Sequence, residues 1–396
     1  MRHRAWWFGV ALAVVLLVLA LGVGWYYSTL ILGPDAPRGR TGQTVIAHTD
    51  TTITLVSTPK ARRPGYWAIV WPGGFGHIGP LISLDDQRVV TRFAIAGGTP
   101  PDTTSRLAGF AIDADPMTWL GLRYEDVVIP ARVGTMPAWL VPGSDSTWAV
   151  FMHGRAASRA EVLRMLPAYV SLGLPCLVIT YRNDGVGPRV GDGSYRLGAT
   201  EWQDLEDAVG YARGHGARDV VVVGCSMGGG IVAQYLRKSS ERAHTRAAVL
   251  DAPALDWDAI LADEGRRRRV PDMVTEWGRF VAGVLGGLSW DDLSQRRHAN
   301  DFVTPILIFH GDADHDVPMR VSEEFAAARP DLVTLNVVSG AGHVESANVG
   351  PAEYAATIMG WLRVLGIGSS LPARRLHVEH IDHVDLHSVV ITARAG

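Results

Sequence analysis

Six short, unbroken apolar runs constrain this chain more than any other feature. From about residue 147 they read "WAVFMHG", "PCLVITYR", "VVVVGCS", "AAVLDAP", "PILIFHGD" and "TLNVVSG". Each is too short for a buried helix and lacks the polar alternation of a half-exposed strand, so each fits a strand covered on both faces. Helix-like segments separate most of them. "SRAEVLRMLPAYVSLG" offers Ser158 as N-cap, Glu161 three residues on and Gly173 at the stop. "TEWQDLEDAVGYARGHG" starts on Thr200, repeats apolar positions at helical spacing and ends at Gly214. "VSEEFAAARP" and "PAEYAATIMGWLRVLG" complete the series. Strands alternating with helices predict an α/β fold, a mostly parallel, doubly wound sheet. Between "VLDAP" and "PILIFHGD" about fifty residues, 254–304, intervene, too many for an ordinary crossover. That stretch predicts a lid over the carboxyl edge of the sheet.

The 396 residues leave room for extensions upstream. "TVIAHTDTTITLV", "YWAIVWPG", "RVVTRFAIAGG" and "YEDVVIPARVGTMPAWLVPG" alternate and are punctuated by Gly and Pro, which predicts mostly antiparallel strands. Before them, Ala5 to Leu32 carries no charge, a longer stretch than the roughly 20 residues that cross a bilayer core. It is also longer than the ~7–15 apolar residues of a cleavable signal peptide. Trp6 and Trp7 stand at one end and Trp25, Tyr26 and Tyr27 at the other, as interfacial aromatics do. The reading is a retained signal anchor spanning the cell membrane once, with a cleaved signal sequence as the alternative. Arg2 and Arg4 precede it directly, whereas Arg38 and Arg40 follow beside Asp35, so the positive-inside rule puts the remainder outside the cytoplasm. The domains expected are thus an anchor at 1–32, a linker and β-rich extension at 33–119, a catalytic domain at 120–368 and a tail at 369–396.

The chemistry gathers at the strand ends. Gly224-Cys225-Ser226-Met227-Gly228 matches G-x-S-x-G, placed after a strand and before a helix. A nucleophile on that turn has strained torsions, and its neighbours must be small because strand and helix pass close together. The motif by itself is weak in a chain with 44 glycines. "FMHGR" ends an earlier strand, where the backbone N–H of Arg155 and that of Met227 could hold a tetrahedral oxyanion. "FHGDADHDVP" supplies three carboxylates on one loop, Asp312, Asp314 and Asp316, and "GAGHVES" then presents His343 between a glycine and a further helix. Serine, acid, histidine is the chain order of one triad architecture.

Over residues 120–366, and most extensively in "YRNDG…LGATEWQDLEDAVGYA…VVVVGCSMGGGIVAQYL", the sequence resembles the α/β-hydrolase superfamily. It looks most like the bacterial membrane-anchored or secreted serine hydrolases related to its prolyl-oligopeptidase-like and dienelactone-hydrolase-like branches. The resemblance implies the α/β-hydrolase fold, with Ser226 as nucleophile, Asp314 as acid and His343 as base. The family's acid lies three residues after the loop glycine and four before the proline, as Asp314 does between Gly311 and Pro318. Dienelactone hydrolases use a cysteine nucleophile, and serine at this elbow counts against their chemistry. Residues 1–119 carry no such resemblance.

Other residues read as scaffold. His153 and His310 are expected to be hydrogen-bonded structural side chains, Asp312 a turn cap, Asp316 solvent-facing, Cys225 and Cys176 packed small residues, and Arg266 to Arg269 a solvated face. Two cysteines make no disulfide framework. Four of the fourteen histidines lie in the tail (His377, His380, His383, His387) at spacings that fit no closed zinc pattern. A net charge of -3 provides no basic field for nucleic acid. No metal or organic cofactor is required by these parts. Hydrolysis of small carboxylic esters is the first functional reading. A peptidase, amidase or thioesterase of the same fold is the alternative within the class, and a catalytically silent binding or scaffold protein the alternative outside it. The lid's "FVAGVLGGL", with Trp257, Trp277 and Trp290, could line an acyl pocket, touch lipid or form the lid's own small core.

Overall fold

The computed structural model describes residues 2–34, 42–98 and 104–368. The tail from Ser369 and most of the linker lie outside the described residues. Helix α1 (Arg2–Leu32) comes first. Six strands follow: β1 (Gln43–His48), β2 (Thr52–Val56), β3 (Trp67–Trp71), β4 (Gly74–Leu84), β5 (Arg88–Gly97) and β6 (Thr104–Ala108). They form a closed antiparallel barrel in the order β1-β2-β5-β4-β3-β6, with β6 pairing back to β1. Side chains two apart turn inward and fill it: Ile53 and Leu55, Trp67, Ile69 and Trp71, Val89 and Phe93. Register shifts between β4 and β5 curve the ribbon so that it can close. Closure was not anticipated. β4 ("GFGHIGPLISL") is broken by glycine and proline, and β6 ("TSRLA") is short, so neither announces itself as a strand without its partners.

After α2 (Pro116–Leu120) the second sheet begins. Its strands are β7 (Glu125–Ala131), β8 (Gly134–Val141), β9 (Thr147–Met152), β10 (Cys176–Ile179), β11 (Asp219–Cys225), β12 (Thr245–Asp251), β13 (Ile306–Gly311) and β14 (Val333–Val338). They lie in the order β14-β13-β12-β11-β9-β10-β8-β7. The six expected runs supply β9 to β14, all parallel, while β8 runs against β10 and pairs with β7 as a hairpin. Burial on both faces explains the unbroken apolar runs. Val220 and Val222 point into one core layer, and Val221 and Val223 into the other.

The helices are α3 (Leu166–Ser171), α4 (Trp202–Gly214), α5 (Met227–Lys238), α6 (Trp257–Arg267), α7 (Asp272–Gly286), α8 (Arg320–Ala328), α9 (Ser346–Val349) and α10 (Pro351–Val364). One expectation fails here. The segment from Ser158 is not a single capped helix but a 3-10 turn at Arg159–Val162 followed by the separate α3. Ser158 Oγ donates to Ile112 O at 3.1 Å instead of capping, and Glu161 accepts from Gly154 N at 2.6 Å. Tertiary partners outbid the local cap.

The segment 254–304 holds α6 and α7, and "FVAGVLGGL" forms the end of α7. α7 packs on α1. Trp277 Nε1 donates to Ala20 O at 2.6 Å, while Trp257 Nε1 donates to Leu197 O. Trp290 packs against the main core, and Arg266, Arg267 and Arg268 pair with Asp263 and Glu264 of their own helix. The last turns of α1 are therefore a packed part of the molecule, with Leu32 joined to the core below the sheet.

Candidate active site

Ser226 stands between β11 and α5 with φ 51° and ψ -120°, a conformation unfavourable for any residue with a Cβ. The turn is tight enough to demand glycine on both sides. A Cβ on Gly224 would lie 2.5 Å from Gly228 O, and one on Gly228 would lie 2.5 Å from Met152 O. Positive φ recurs at Ala156, Ala252 and Val344, so strain gathers along the carboxyl edge of the sheet. Ser226 N donates to Asp251 O, which ties the elbow to the end of β12.

The structure brings Ser226, His343 and Asp314 into one chain of contacts. Ser226 Oγ lies 2.8 Å from His343 Nε2, and His343 Nδ1 lies 2.8 Å from Asp314 Oδ2. Asp314 is buried and accepts from the backbone N–H groups of Asp316 and Val317. Burial pushes its carboxyl upward, but bonds from His310, His343 and Val317 N outweigh this and hold it far below the usual range. Burial also pulls His343 down, and the paired Asp314 outweighs it, with Asp316 and Glu161 adding to a net upward shift. The two other carboxylates of the loop go elsewhere. Asp312 accepts from Gly340 N and Ser339 Oγ, and Asp316 is exposed.

The loop after β9 is held from several directions. His153 is buried, stacked on Tyr181, with Nδ1 2.9 Å from Gly154 O and Nε2 3.1 Å from Asp184 Oδ2. Tyr181 Oη donates to Gly154 O at 3.0 Å. Arg182, in the same "YRNDG" stretch, is locked onto the buried Asp204 of α4. Gly154 lies against the nucleophile, since a Cβ there would meet Ser226 Cβ at 3.1 Å. Its own N–H is bonded to Glu161. Met227 opens α5, where an N–H has no carbonyl a turn behind it. The Arg155 side chain reaches away from the site, and Nη2 donates to Leu30 O at 2.8 Å and to Gly33 O at 2.7 Å.

His310 behaves as scaffold, with Nδ1 2.8 Å from Ser322 Oγ and Nε2 3.0 Å from Val317 O. Cys176 and Cys225 are free and buried, and burial raises both thiols well above their ordinary range, so neither is a ready thiolate. Among the described residues no group of three or more His, Cys, Asp or Glu side chains could hold a metal ion, and the tail histidines lie outside them.

Sequence reasoning missed the residues that support this edge from the N-terminal side. Arg63 donates to both oxygens of Glu345, at 2.6 and 2.7 Å, and Glu345 accepts from Gly342 N beside His343. Asn348 Nδ2 donates to Tyr66 O and Gly109 O, and Tyr66 N donates to Asn348 O. No local motif marks Arg63 or Asn348; the partners just named, Glu345, Tyr66 and Gly109, are more than two hundred residues away from them.

Residues 176–365 match the prolyl oligopeptidase family, and residues 44–107, most of the barrel, match a domain family of unknown function. No protein of curated function matches the sequence. Among solved structures, an esterase of Pyrococcus furiosus is similar over 67% of this chain and 97% of its own, at 19% identity and a TM-score of 0.53. A second crystal form of that esterase gives 18% identity over 64% and 97%, with a TM-score of 0.52. Esterase 2 of Thermogutta terrifontis, with butyrate bound, is 21% identical over 63% and 96%, with a TM-score of 0.48. The strand order and the first two of these likenesses identify the fold as that of the α/β-hydrolases.

Proposed function

We propose that this serine hydrolase of the α/β-hydrolase fold cleaves carboxylic esters through an acyl-enzyme formed on Ser226. The single observation that carries the reading is the hydrogen-bonded line from Ser226 Oγ through His343 to Asp314. His343 Nε2 takes the Ser226 proton as Oγ bonds to the ester carbonyl carbon, and Asp314 stabilises the imidazolium. The amides of Arg155 and Met227 receive the oxyanion. Collapse breaks the bond to the leaving alkoxy group, which takes the proton from His343. Water then adds by the same route in reverse and frees Ser226. Nothing in this sequence of steps calls on a metal or cofactor.

The likeness to an esterase supports ester over amide cleavage. The match to the prolyl oligopeptidase family favours a peptidase as the second reading. α1 is read as a membrane anchor with the catalytic part on the extracytoplasmic face. Its Val14–Leu32 stretch is long and apolar enough to cross a bilayer.

A fluorophosphonate probe should label the wild type and fail on Ser226→Ala. p-Nitrophenyl esters should turn over faster than aminoacyl or prolyl anilides. Labelling of Ser226 with faster anilide cleavage would keep the serine mechanism and promote the peptidase. Undiminished labelling of Ser226→Ala would remove the mechanism altogether.

A further inference from the structure

Helix α7 is apolar around more of its circumference than the domain covers. One side meets α1 closely, through small residues spaced by four: Gly24 and Ser28 on α1, and Gly278, Ala282 and Gly286 on α7. A Cβ on Gly24 would lie 2.6 Å from Val281 Cγ2, and one on Gly278 would lie 2.6 Å from Tyr27 Cβ. Close backbone approach over small residues is how helices pack where no water drives them together. The charged side of α7 turns toward α6, where Arg279 Nη1 donates to Asp258 at 2.8 Å. Between those two sides Met273, Phe280 and Val284 recur at helical spacing, and they are 80%, 59% and 65% exposed. Trp277, bonded to α1, stacks on Phe280.

This stripe is continuous with the outer surface of α1. Trp25 and Tyr26 are exposed on the same stretch of α1 that α7 touches, and Leu12 and Val14 to Leu19 are exposed beyond it. A bilayer that surrounds α1 as far as its aromatic end must meet the residues packed beside it. We propose that the Met273-Phe280-Val284 face of α7 is embedded in the lipid leaflet next to α1, as a second membrane contact. It rests on the reading of α1 as a membrane helix. The loop whose glycine touches Ser226 is tied to the end of α1 through Arg155. The substrate class that fits is therefore an ester dissolved in that leaflet.

The test uses the full chain in vesicles of phosphatidylcholine and phosphatidylglycerol, with an environment-sensitive fluorophore on one introduced cysteine. The native cysteines are buried and leave the surface thiol to react selectively. Labels at Leu17→Cys and Phe280→Cys should both be quenched by nitroxide lipids, and one at Val303→Cys, an exposed site outside the stripe, should not. Quenching at 17 without quenching at 280 overturns the proposal, as does crosslinking of 280 to the 280 of a second copy. No quenching at 17 removes the anchor reading itself, and the proposal with it. In a second arm, Met273→Glu, Phe280→Glu and Val284→Glu are combined. Hydrolysis of a long-chain p-nitrophenyl ester dissolved in the vesicles should fall on the order of tenfold or more, while a soluble short-chain ester keeps its rate. Unchanged rates on both esters overturn the proposal.

Discussion

The two N-terminal elements of this protein reach two different loops of the same candidate site by different physics. The barrel has a core of its own and meets the His343 loop through polar contacts, Arg63 to Glu345 and Asn348 to Tyr66 and Gly109. α1 has no core of its own. It lies on α7 through small and apolar residues, and its terminal carbonyls receive the Arg155 guanidinium. The barrel thus supports the loop that carries His343, and α1 the loop proposed to bind the oxyanion. Polar clamps can be weakened one bond at a time. A helix packed by shape is lost as a unit.

The largest effect that separates the two sides belongs to Asp314. Asp314→Asn should lower kcat by roughly 10⁴-fold, if the loss resembles that of other serine triads. Asp312→Asn and Asp316→Asn should stay within a few-fold. Steady-state kinetics on a p-nitrophenyl ester decides it, and a larger loss at 316 would transfer the acid role. Next comes the oxyanion side. Arg155→Ala keeps its backbone amide but frees the loop from α1, and should cost roughly 10- to 100-fold in kcat with little change in KM, part of the value of one oxyanion donor. A rise in KM at constant kcat would show that α1 shapes binding rather than the oxyanion contact.

The pH profile sharpens the proton-moving side. As the proposed base, His343 would act only when neutral, and its pairing with Asp314 raises its pKa above the ordinary 6.5. kcat/KM should therefore be full at alkaline pH and fall as pH drops through a midpoint above 6.5. A midpoint below 6.5 would mean that burial, not Asp314, governs the imidazole. The smallest effect is expected from the barrel clamp. Arg63→Ala removes a partly exposed ion pair worth about 1 kcal/mol, and should slow turnover only a few-fold while leaving probe labelling of Ser226 intact. A loss as large as that of Arg155→Ala would make the barrel an equal partner in shaping the site.

The parts legible in the sequence are those whose physics is local. The runs at β9 to β14 are apolar on every residue because both faces of the sheet are covered, and that pattern needs no partner to be read. Gly224 and Gly228 flank Ser226 because strand and helix cross within a few ångströms, a requirement written over five consecutive positions. The resemblance to the family's loop, whose acid lies three residues after the glycine and four before the proline, singled out Asp314 over Asp312 and Asp316. The helix expected from Ser158 failed for the opposite reason. Its N-cap signal was sound, but Ile112 and Gly154, distant or on the preceding loop, bind Ser158 and Glu161 instead.

The sequence by itself determined the order of strands and helices, the elbow and the candidate serine, acid and histidine, since alternation, glycine placement and chain order are properties of neighbouring residues. Only the tertiary structure decided that β1 to β6 close into a barrel, that α7 receives α1, and that Arg63 and Arg155 lead from the N-terminal elements to the candidate site. Those contacts join residues 60 to 282 positions apart. Pairings at such separations depend on which surfaces remain uncovered once each unit has folded, and no local pattern encodes that.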